Sequence, residues 1–273
     1  MSTAPEPVSL DPRRLFDLSG RVVVITGAGG LLGRALALAA AKAGARTVLV
    51  DIDAQACCSS AELAAREKGR DAMPICADIS DPGEVQQVIE RTVAAFGAVD
   101  VLVNNAQYKS QHFFAGFEEF PLEDWEAVMR VNVTALYLCC QAAGNQMNAS
   151  GRGGSIINLG STYGMVAPDH SLYDGTTMGC PAVYAASKGA VWSLTRYLAT
   201  YWASKKIRVN CIQPHGLYNG HEPRFVDNFA QHSPMGRMSD PSEVAGAMLY
   251  LASDASSYVT GTNLAVDGGW TAW

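Results

Sequence analysis

The sequence lacks the features of several protein classes. No apolar run reaches the length of a membrane span, and the N-terminal residues carry prolines and charges where a secretory signal has an apolar core. The 20 Lys and Arg residues are outnumbered by 26 Asp and Glu residues and form no dense basic cluster that could follow a phosphate backbone. We therefore expect a cytoplasmic protein that binds neither membrane nor nucleic acid.

Cysteine is present but does not form a recognisable framework. The seven cysteines are odd in number, and no two of them have the C-x-x-C spacing of a metal site. Neither a disulfide scaffold nor a bound metal is expected, and a reducing compartment fits this pattern.

Short β-branched runs alternate with longer Ala-rich segments along the chain. Segments such as LLGRALALAAAKAG and PGEVQQVIERTVAAFG have helical spacing and end in Gly, which is common at a helix C-terminus. The runs are nearly continuous in apolar residues, as in parallel strands buried on both faces: RVVVIT, RTVLVD, AMPICAD, VDVLVNN, GSIINLG, IRVNCIQP and TNLAVDGG. This alternation predicts a doubly wound α/β fold around a parallel sheet.

The domain organisation follows from length and composition. The 273 residues, 48% of them hydrophobic, are enough for one large core. We expect a flexible N-terminal extension over residues 1–17 and a single domain over 18–273. Residues 215–241, rich in His, Asn, Gly and Pro, are too many for an ordinary connection and predict a mobile loop over a binding site.

The stretch VVVITGAGGLLGRALA predicts a phosphate-binding turn. A strand leads into closely spaced glycines and then a helix, whose first N–H groups can meet a pyrophosphate. The glycines are Gly27, Gly29, Gly30 and Gly33, and a plain tight turn is the alternative. Asp51 ends the second strand, where a carboxylate can accept hydrogen bonds from an adenosine ribose, or can merely stabilise a turn.

Asp51 also favours NAD over NADP. A unit charge facing a 2′-phosphate at ~4 Å costs about 4 kcal/mol at an effective dielectric constant near 20. Gly30 and Ile52 are neutral, and Arg46 lies roughly 16 Å away along the strand, so no nearby cation offsets this repulsion.

Seven motifs follow one another in the order found in the short-chain dehydrogenase/reductase family. They are TGAGGLLG (26–33), ADIS (77–80), NNA (104–106), VNV (131–133), INLGS (157–161), YAASK (184–188) and IRVNCIQP (207–214). The chain resembles a single-domain member with a seven-stranded Rossmann-type sheet. The resemblance implies a homotetramer or homodimer, an NAD cofactor and a catalytic set of Asn132, Ser161, Tyr184 and Lys188. It also implies cofactor contacts at Gly27, Gly29, Gly30, Leu32, Gly33, Asp51, Ile52, Asp78, Ile79, Asn105, Ala106, Tyr184, Lys188, Pro214, Gly216 and Leu217.

Tyr184 and Lys188 are four residues apart, so on a helix they share one face. We expect the ammonium group, together with an oxidised nicotinamide, to lower the pKa of the phenol, which then acts as general base or acid. The alternative is a partly buried ring beside a solvated ammonium. In the family, the serine binds the substrate oxygen and the asparagine orders a water in a proton relay.

The chain departs from the family pattern at Leu31, Gln107 and His215, and it has a long segment, residues 163–181, between Ser161 and Tyr184. We interpret this segment as an active-site insert. With the C-terminal VDGGWTAW it weakly resembles enzymes of bacterial flagellin glycosylation and nonulosonic-acid or other surface-sugar pathways. The candidate substrate residues are Gln107, Tyr163, His170, Tyr173, His215 and Arg224.

These features predict an NAD-dependent oxidoreductase that interconverts a secondary alcohol and a ketone on a polar small molecule, a sugar or sugar derivative. Two alternatives remain open. One is a reductase of 3-oxoacyl or other apolar ketones, and the other is a non-catalytic NAD-binding scaffold or sensor.

Overall fold

The computed structural model describes residues 10–67 and 71–273. Within them, seven parallel strands form one sheet in the order β3-β2-β1-β4-β5-β6-β7. The strands are β1 (Val22–Thr26), β2 (Arg46–Asp51), β3 (Ala72–Cys76), β4 (Val101–Asn104), β5 (Gly154–Leu159), β6 (Ile207–Pro214) and β7 (Asn263–Val266). The predicted doubly wound parallel sheet is confirmed.

Helices connect the strands and cover both faces of the sheet. The helix α4 ends at Gly97, whose φ of +82° lies in the left-handed region that glycine adopts without strain. The helices are α1 (Pro12–Leu15), α2 (Leu31–Lys42), α3 (Ala54–Ala65), α4 (Pro82–Phe96), α5 (Leu122–Met129), α6 (Leu136–Ser150), α7 (Ala182–Trp202), α8 (Pro223–His232) and α9 (Pro241–Ala252).

Each face of the sheet has its own hydrophobic core. Alternate residues of a strand point to opposite faces, so Val22 and Val24 join the core under α4, α6 and α7. Val23 and Ile25 join the core under α2, α3 and α9. Burial of each such side chain contributes about 1.5–3 kcal/mol, which explains why the strands are apolar throughout.

The strand order reverses between β1 and β4. From β1 the chain proceeds outward through β2 and β3, and it then returns to β4 and proceeds through β5, β6 and β7 on the other side. In open α/β sheets, the carboxyl ends of the strands at this reversal leave a crevice in which ligands bind. The fold therefore places a binding site beyond Thr26 and Asn104.

The predicted N-terminal extension lies only partly within the described residues. Residues 1–9 are outside them, and Pro12–Leu15 forms a single helical turn capped by the Asp11 side chain. The flexibility of the extension stays a prediction. Between residues 10–67 and 71–273, the structure has no helix that combines the length and apolar character required to cross a bilayer.

The crossing of α6 and α7 provides a test of the packing. A Cβ atom added at Gly144 would lie 2.3 Å from the buried ring of Trp202, whereas one at the exposed Gly246 of α9 would meet nothing within 4 Å. We expect Gly144→Ala to lower the free energy of unfolding by about 1–3 kcal/mol through overpacking. Gly246→Ala should raise it by up to about 1 kcal/mol through helix propensity.

Urea denaturation of both variants provides the measurement, and Gly246→Ala is the matched control. Equal stability of the two variants would contradict the tight contact between Gly144 and Trp202.

Candidate active site

A cleft of about 840 Å³ opens at the carboxyl edge of the sheet. Its walls come from the loops that follow β1, β2, β3, β4, β5 and β6, together with the start of α7. The cleft therefore lies where the strand order predicts a binding site. Its length brings the glycine-rich turn and the Tyr184 helix into one continuous space.

The glycine-rich turn is built for close approach. Gly27 has a φ of +65°, and a Cβ atom at Gly33 would lie 2.1 Å from the Gly27 carbonyl oxygen. A Cβ atom at Gly29 would lie 2.7 Å from the Cβ of Ala56. Gly30 has room for a Cβ atom and precedes the first turn of α2. The turn and the open N–H groups of α2 fit the pyrophosphate of a dinucleotide.

Asp51 connects the end of β2 to this turn. One carboxylate oxygen accepts a hydrogen bond from the Gly29 N–H at 2.8 Å, and the other accepts one from the Asp53 N–H at 3.0 Å. Arg46, at the opposite end of β2, is paired with Asp71 at 3.5 Å. The charge of Asp51 therefore faces the cleft without a described arginine or lysine beside it.

The remaining predicted adenosine-side residues also line the cleft. Ile52, Asp78 and Ile79 follow β2 and β3, and Leu32 belongs to the first turn of α2. Asn105 and Ala106 follow β4. The side-chain amide of Asn105 donates to the carbonyl oxygens of Thr26 and Gly27, each at 3.0 Å, so it holds the glycine turn against β4.

The first turns of α7 place Tyr184 in the cleft opposite Ser161, which follows β5. Both side chains line the cleft, and the Ser161 hydroxyl lies near enough to the Tyr184 phenol to lower its pKa. Lys188, one turn further along α7, is buried, and its ammonium group donates to the Leu159 carbonyl oxygen at 2.9 Å. The Lys188 Nζ lies 5.6 Å from the centre of the Tyr184 ring. The predicted Ser, Tyr and Lys residues thus lie together.

Burial dominates the electrostatics of this pair. It raises the pKa of the Tyr184 phenol, and the hydrogen bond with Ser161 offsets this only in part. It also lowers the pKa of Lys188 to about 8. The expected depression of the Tyr184 pKa by Lys188 is therefore not found in the protein alone, because desolvation disfavours both charged forms.

Asn132 lies outside the cleft wall, in a π-helical turn that spans Arg130–Ala135. Its side-chain oxygen accepts from the Tyr108 N–H at 2.9 Å, and its amide nitrogen donates to the Ser187 hydroxyl at 3.4 Å. Asn132 thereby ties the loop after β4 to α7. A role in ordering a relay water stays a prediction.

The insert and the loop after β6 pack against each other over the cleft. Leu172 of the insert is buried against Phe225 and Phe229 of α8. The Asn228 amide donates to the carbonyl oxygens of Leu172 and Asp174, each at 3.1 Å. Residues 215–241 thus contain a helix, α8, instead of an irregular loop throughout.

Two tyrosines of the insert face the cleft. The hydroxyl groups of Tyr163 and Tyr173 lie 3.2 Å apart, and Tyr173 stacks on Phe225 with ring centres 5.6 Å apart. Burial raises the pKa of Tyr163 to about 12 and that of Tyr173 further, so both remain neutral hydrogen-bonding groups at physiological pH.

His215 also lines the cleft but is largely buried among aromatic rings. Its ring centre lies 4.2 Å from that of Trp270, and its Nδ1 hydrogen bonds to the Thr162 hydroxyl. Burial lowers the pKa of His215 to about 4, so the ring is neutral near pH 7. It joins the segment after Ser161 to the C-terminal residues. Pro214, Gly216 and Leu217 line the cleft beside it.

Of the other predicted substrate residues, one lines the cleft and two do not. Gln107 lines the cleft, whereas His170 and Arg224 are exposed and lie outside its wall. Arg224 instead lies beside Gly175 on the outer side of the insert. His170 belongs to the same short turn of the insert as Leu172, which is the buried residue there, and Arg224 belongs to the first turn of α8.

Sequence reasoning missed several residues that line the cleft, among them Lys109, Phe113 and Cys180. Lys109 and Phe113 lie in the loop after the NNA motif, and this place in the sequence could have indicated that they line the cleft. No signal identified Cys180, because it depends on how the insert folds. Within the described part of the chain, no group of three or more His, Cys, Asp or Glu side chains could hold a metal ion.

Comparisons with known proteins agree with this geometry. A family model described as enoyl-(acyl carrier protein) reductase matches residues 27–271. The D-threitol dehydrogenase of Mycolicibacterium smegmatis is 34% identical over 264 residues, which cover 94% of this chain and 95% of that protein. The galactitol 2-dehydrogenase (L-tagatose-forming) of Cereibacter sphaeroides is 37% identical over 273 residues, which cover 97% of this chain and 100% of that protein.

Solved structures are similar over the same span. A gluconate 5-dehydrogenase from Burkholderia cenocepacia, in complex with NADP and tartrate, superposes with a TM-score of 0.85. It is 34% identical, and the match covers 96% of this chain and 99% of that one. An NAD⁺-bound xylitol dehydrogenase has a TM-score of 0.83 at 30% identity, with 92% and 99% coverage.

Proposed function

Because the chain belongs to the short-chain dehydrogenase/reductase family and the relatives named above are dehydrogenases, we propose that it interconverts a secondary alcohol and a ketone on a polyol or sugar derivative with NAD. The arrangement of Tyr184, Ser161 and Lys188 in one cleft with the glycine turn carries this proposal.

The residues of the chain divide the chemistry among them. The Ser161 hydroxyl holds the substrate oxygen, and Tyr184 removes the proton of the alcohol O–H as general base. The bound oxidised nicotinamide supplies a hydride acceptor and a positive charge near the phenol. As the C–H electron pair leaves with the hydrogen, the C–O bond becomes a carbonyl. In the reverse direction, Tyr184 returns the proton to the oxygen as general acid.

The positive charge matters because a phenol is already protonated near pH 7 at its ordinary pKa, and burial raises the pKa of Tyr184 further. The pKa of the phenol is raised in the protein, so deprotonation has to be coupled to the arrival of the nicotinamide charge and of the substrate. Lys188, buried against Leu159, is placed to hold the nicotinamide ribose by its remaining N–H groups. Asn132 is proposed to order a relay water behind it.

A polar substrate is supported by two independent observations. The Tyr163 and Tyr173 hydroxyls give the cleft wall neutral donors and acceptors that suit substrate hydroxyls. The two relatives are dehydrogenases of the polyols threitol and galactitol, and a structural neighbour is a dehydrogenase of gluconate. The narrower resemblance to surface-sugar enzymes stays a prediction.

Apolar side chains favour a second candidate function. Leu172, Met178 and Phe225 line the insert side of the cleft. The family model that matches the chain is described as an enoyl-(acyl carrier protein) reductase, an enzyme of acyl substrates. A reductase of 3-oxoacyl or other apolar ketones is therefore the alternative. A non-catalytic scaffold is disfavoured, because binding NAD does not require both a tyrosine and a serine hydroxyl in the wall of the cleft.

We expect Tyr184→Phe to lower the turnover of NAD-dependent polyol oxidation by roughly 10²–10⁴-fold, since the ring packing is kept while the proton acceptor is removed. NADH affinity, followed by nicotinamide fluorescence, should remain within about threefold. Tyr258→Phe, the same change at a fully exposed tyrosine outside the cleft, is the control and should leave turnover unchanged. Substantial turnover by Tyr184→Phe would assign the acid–base role to another group.

NAD is the proposed cofactor on the evidence of charge at the adenosine end of the cleft. The Asp51 carboxylate faces this end, and its lining residues in the described chain include no Lys or Arg that could bind a 2′-phosphate. Structural neighbours contain NAD⁺ in one case and NADP in another, so the charge distribution decides the proposal.

Asp51→Asn should narrow the preference for NADH over NADPH by roughly tenfold or more. The change removes the repelling charge but keeps an oxygen that can accept from the Gly29 N–H, so the glycine turn is retained. Fluorescence titrations of both dinucleotides measure the ratio. Equal affinity of the unmodified protein for NADH and NADPH would refute the preference.

The chain is further proposed to form a homotetramer in the cytoplasm. The rings of Tyr197 and Tyr201 stack on the exposed face of α7, with centres 5.8 Å apart, and such exposed aromatic surface is typical of contact sites. Light scattering at micromolar concentration should give about four times the 29.0 kDa of one chain. A particle of 29.0 kDa would contradict the assembly.

A further inference from the structure

Charged side chains are distributed unevenly along the cleft. The carboxylates that line it, Asp51, Asp53 and Asp78, all lie at the ends of β2 and β3. Around Tyr184, the described lining residues include lysines and histidines but no Asp or Glu. In a chain with a net charge of -6, a substrate end without carboxylates favours a ligand of negative charge.

Lys109 supplies an unpaired cation at this end. Its Nζ lies 5.7 Å from the centre of the Phe113 ring, and Phe113 packs edge-on against Tyr184 with ring centres 6.0 Å apart. No carboxylate of the described residues lies within ion-pair distance of Lys109. Lys109 is an exposed residue of the cleft lining, one aromatic ring away from Tyr184, so its ammonium group is open to a ligand that enters from solvent.

His221 lines the cleft from the loop after β6. Its Nδ1 accepts a hydrogen bond from the Asn219 N–H at 3.2 Å, so Nε2 carries the ring proton. Its ring packs on Phe225 with centres 5.1 Å apart. Burial and the nearby charge of Lys109 lower the pKa of His221, which makes it a neutral donor at pH 7.

The carboxylate next to His221 in sequence is engaged elsewhere. Glu222 accepts from the Thr177 N–H at 3.0 Å and from its hydroxyl at 3.4 Å, and it does not line the cleft. Lys109 and His221 therefore offer one positive charge and one neutral N–H to a ligand that enters the cleft. The single positive charge of Lys109 matches the single negative charge of a carboxylate better than the two negative charges of a phosphate monoester.

We propose that Lys109 and His221 bind the carboxylate of a polyhydroxy acid whose secondary alcohol lies at Tyr184. This inference rests on the proposed function, because it takes Tyr184 as the reacting end. The substrate class narrows from polyols and sugars in general to sugar acids. Lys109 and His221 set specificity and take no part in proton or hydride transfer.

The test compares D-gluconate with D-glucitol, which differ in a terminal carboxylate and a terminal hydroxymethyl group. Calorimetric titrations are made into the full-length protein saturated with NADH. The unmodified protein should bind gluconate at least about tenfold more tightly than glucitol, since a hydrogen bond to a charged group contributes about 1.5–3 kcal/mol. Lys109→Met should reduce this ratio about tenfold, and His221→Phe, which keeps an aromatic ring against Phe225, should reduce it less.

Lys205→Met is the matched control, because Lys205 precedes β6 at the opposite edge of the sheet, and it should leave the ratio unchanged. An equal affinity for gluconate and glucitol, an absence of gluconate binding, or an unchanged ratio in Lys109→Met would each overturn the inference. Tighter binding of glucitol 6-phosphate than of gluconate would assign the site to a phosphate and overturn the carboxylate.

Different results would contradict the proposed reaction and the proposed carboxylate site. If polyols reduce NAD⁺ but gluconate has no Lys109-dependent advantage, the proposed function stands and the inference falls. If gluconate binding depends on Lys109 but no polyol or sugar acid reduces NAD⁺, the carboxylate site stands and the proposed reaction falls.

Discussion

The hydrogen bond from the buried Lys188 ammonium to the Leu159 carbonyl oxygen fixes the relation between α7 and the end of β5. Ser161 follows β5, and Tyr184 lies one turn before Lys188 on α7, so this bond holds both side chains in the wall of one cleft. Burying a charged or polar nitrogen is costly unless it has a partner, which restricts α7 to this position. The side chain of Asn132 adds a second constraint, because it joins the loop after β4 to Ser187 of the same helix.

The same burial shapes the chemistry. Both members of the Tyr184 and Lys188 pair are driven toward their neutral forms, so the protein alone does not hold a reactive phenolate. In the proposed mechanism, proton removal by Tyr184 then depends on charge that arrives with the cofactor. This coupling would limit the base to complexes in which a hydride acceptor is already in place.

Charge separates the two ends of the cleft. Carboxylates lie at the adenosine end, where Asp51 also stabilises the glycine turn, and cationic or neutral donors lie at the substrate end. The insert contributes Leu172 as an anchor and the Tyr163 and Tyr173 hydroxyls as a polar wall. The insert therefore serves packing and, in the proposed function, also substrate recognition.

The strands could be predicted because runs such as VVVIT and SIINL are buried on both faces of the sheet. Such strands are apolar at nearly every position, and this pattern is visible in the local sequence. The cleft residues of the glycine turn and of α7 could be predicted from spacing, which sets the geometry of a turn or of one helix face. The pKa of Tyr184 could not be predicted from the sequence, since desolvation depends on all surrounding elements. The directions of side chains in the insert and in α8 could not be predicted either. His170 and Arg224 point outward and Lys109 lines the cleft because of packing between segments distant in sequence.

The central claim is hydride transfer between a secondary carbon of a polyhydroxy substrate and NAD. The most direct measurement is to incubate the protein with NAD⁺ and a panel of polyols and sugar acids deuterated at their secondary carbons, and then to analyse the dinucleotide by NMR. The account predicts one deuterium at C4 of the reduced nicotinamide and a ketone product in equal amount. Reduced nicotinamide without deuterium, or no reduction by any member of the panel, would contradict it.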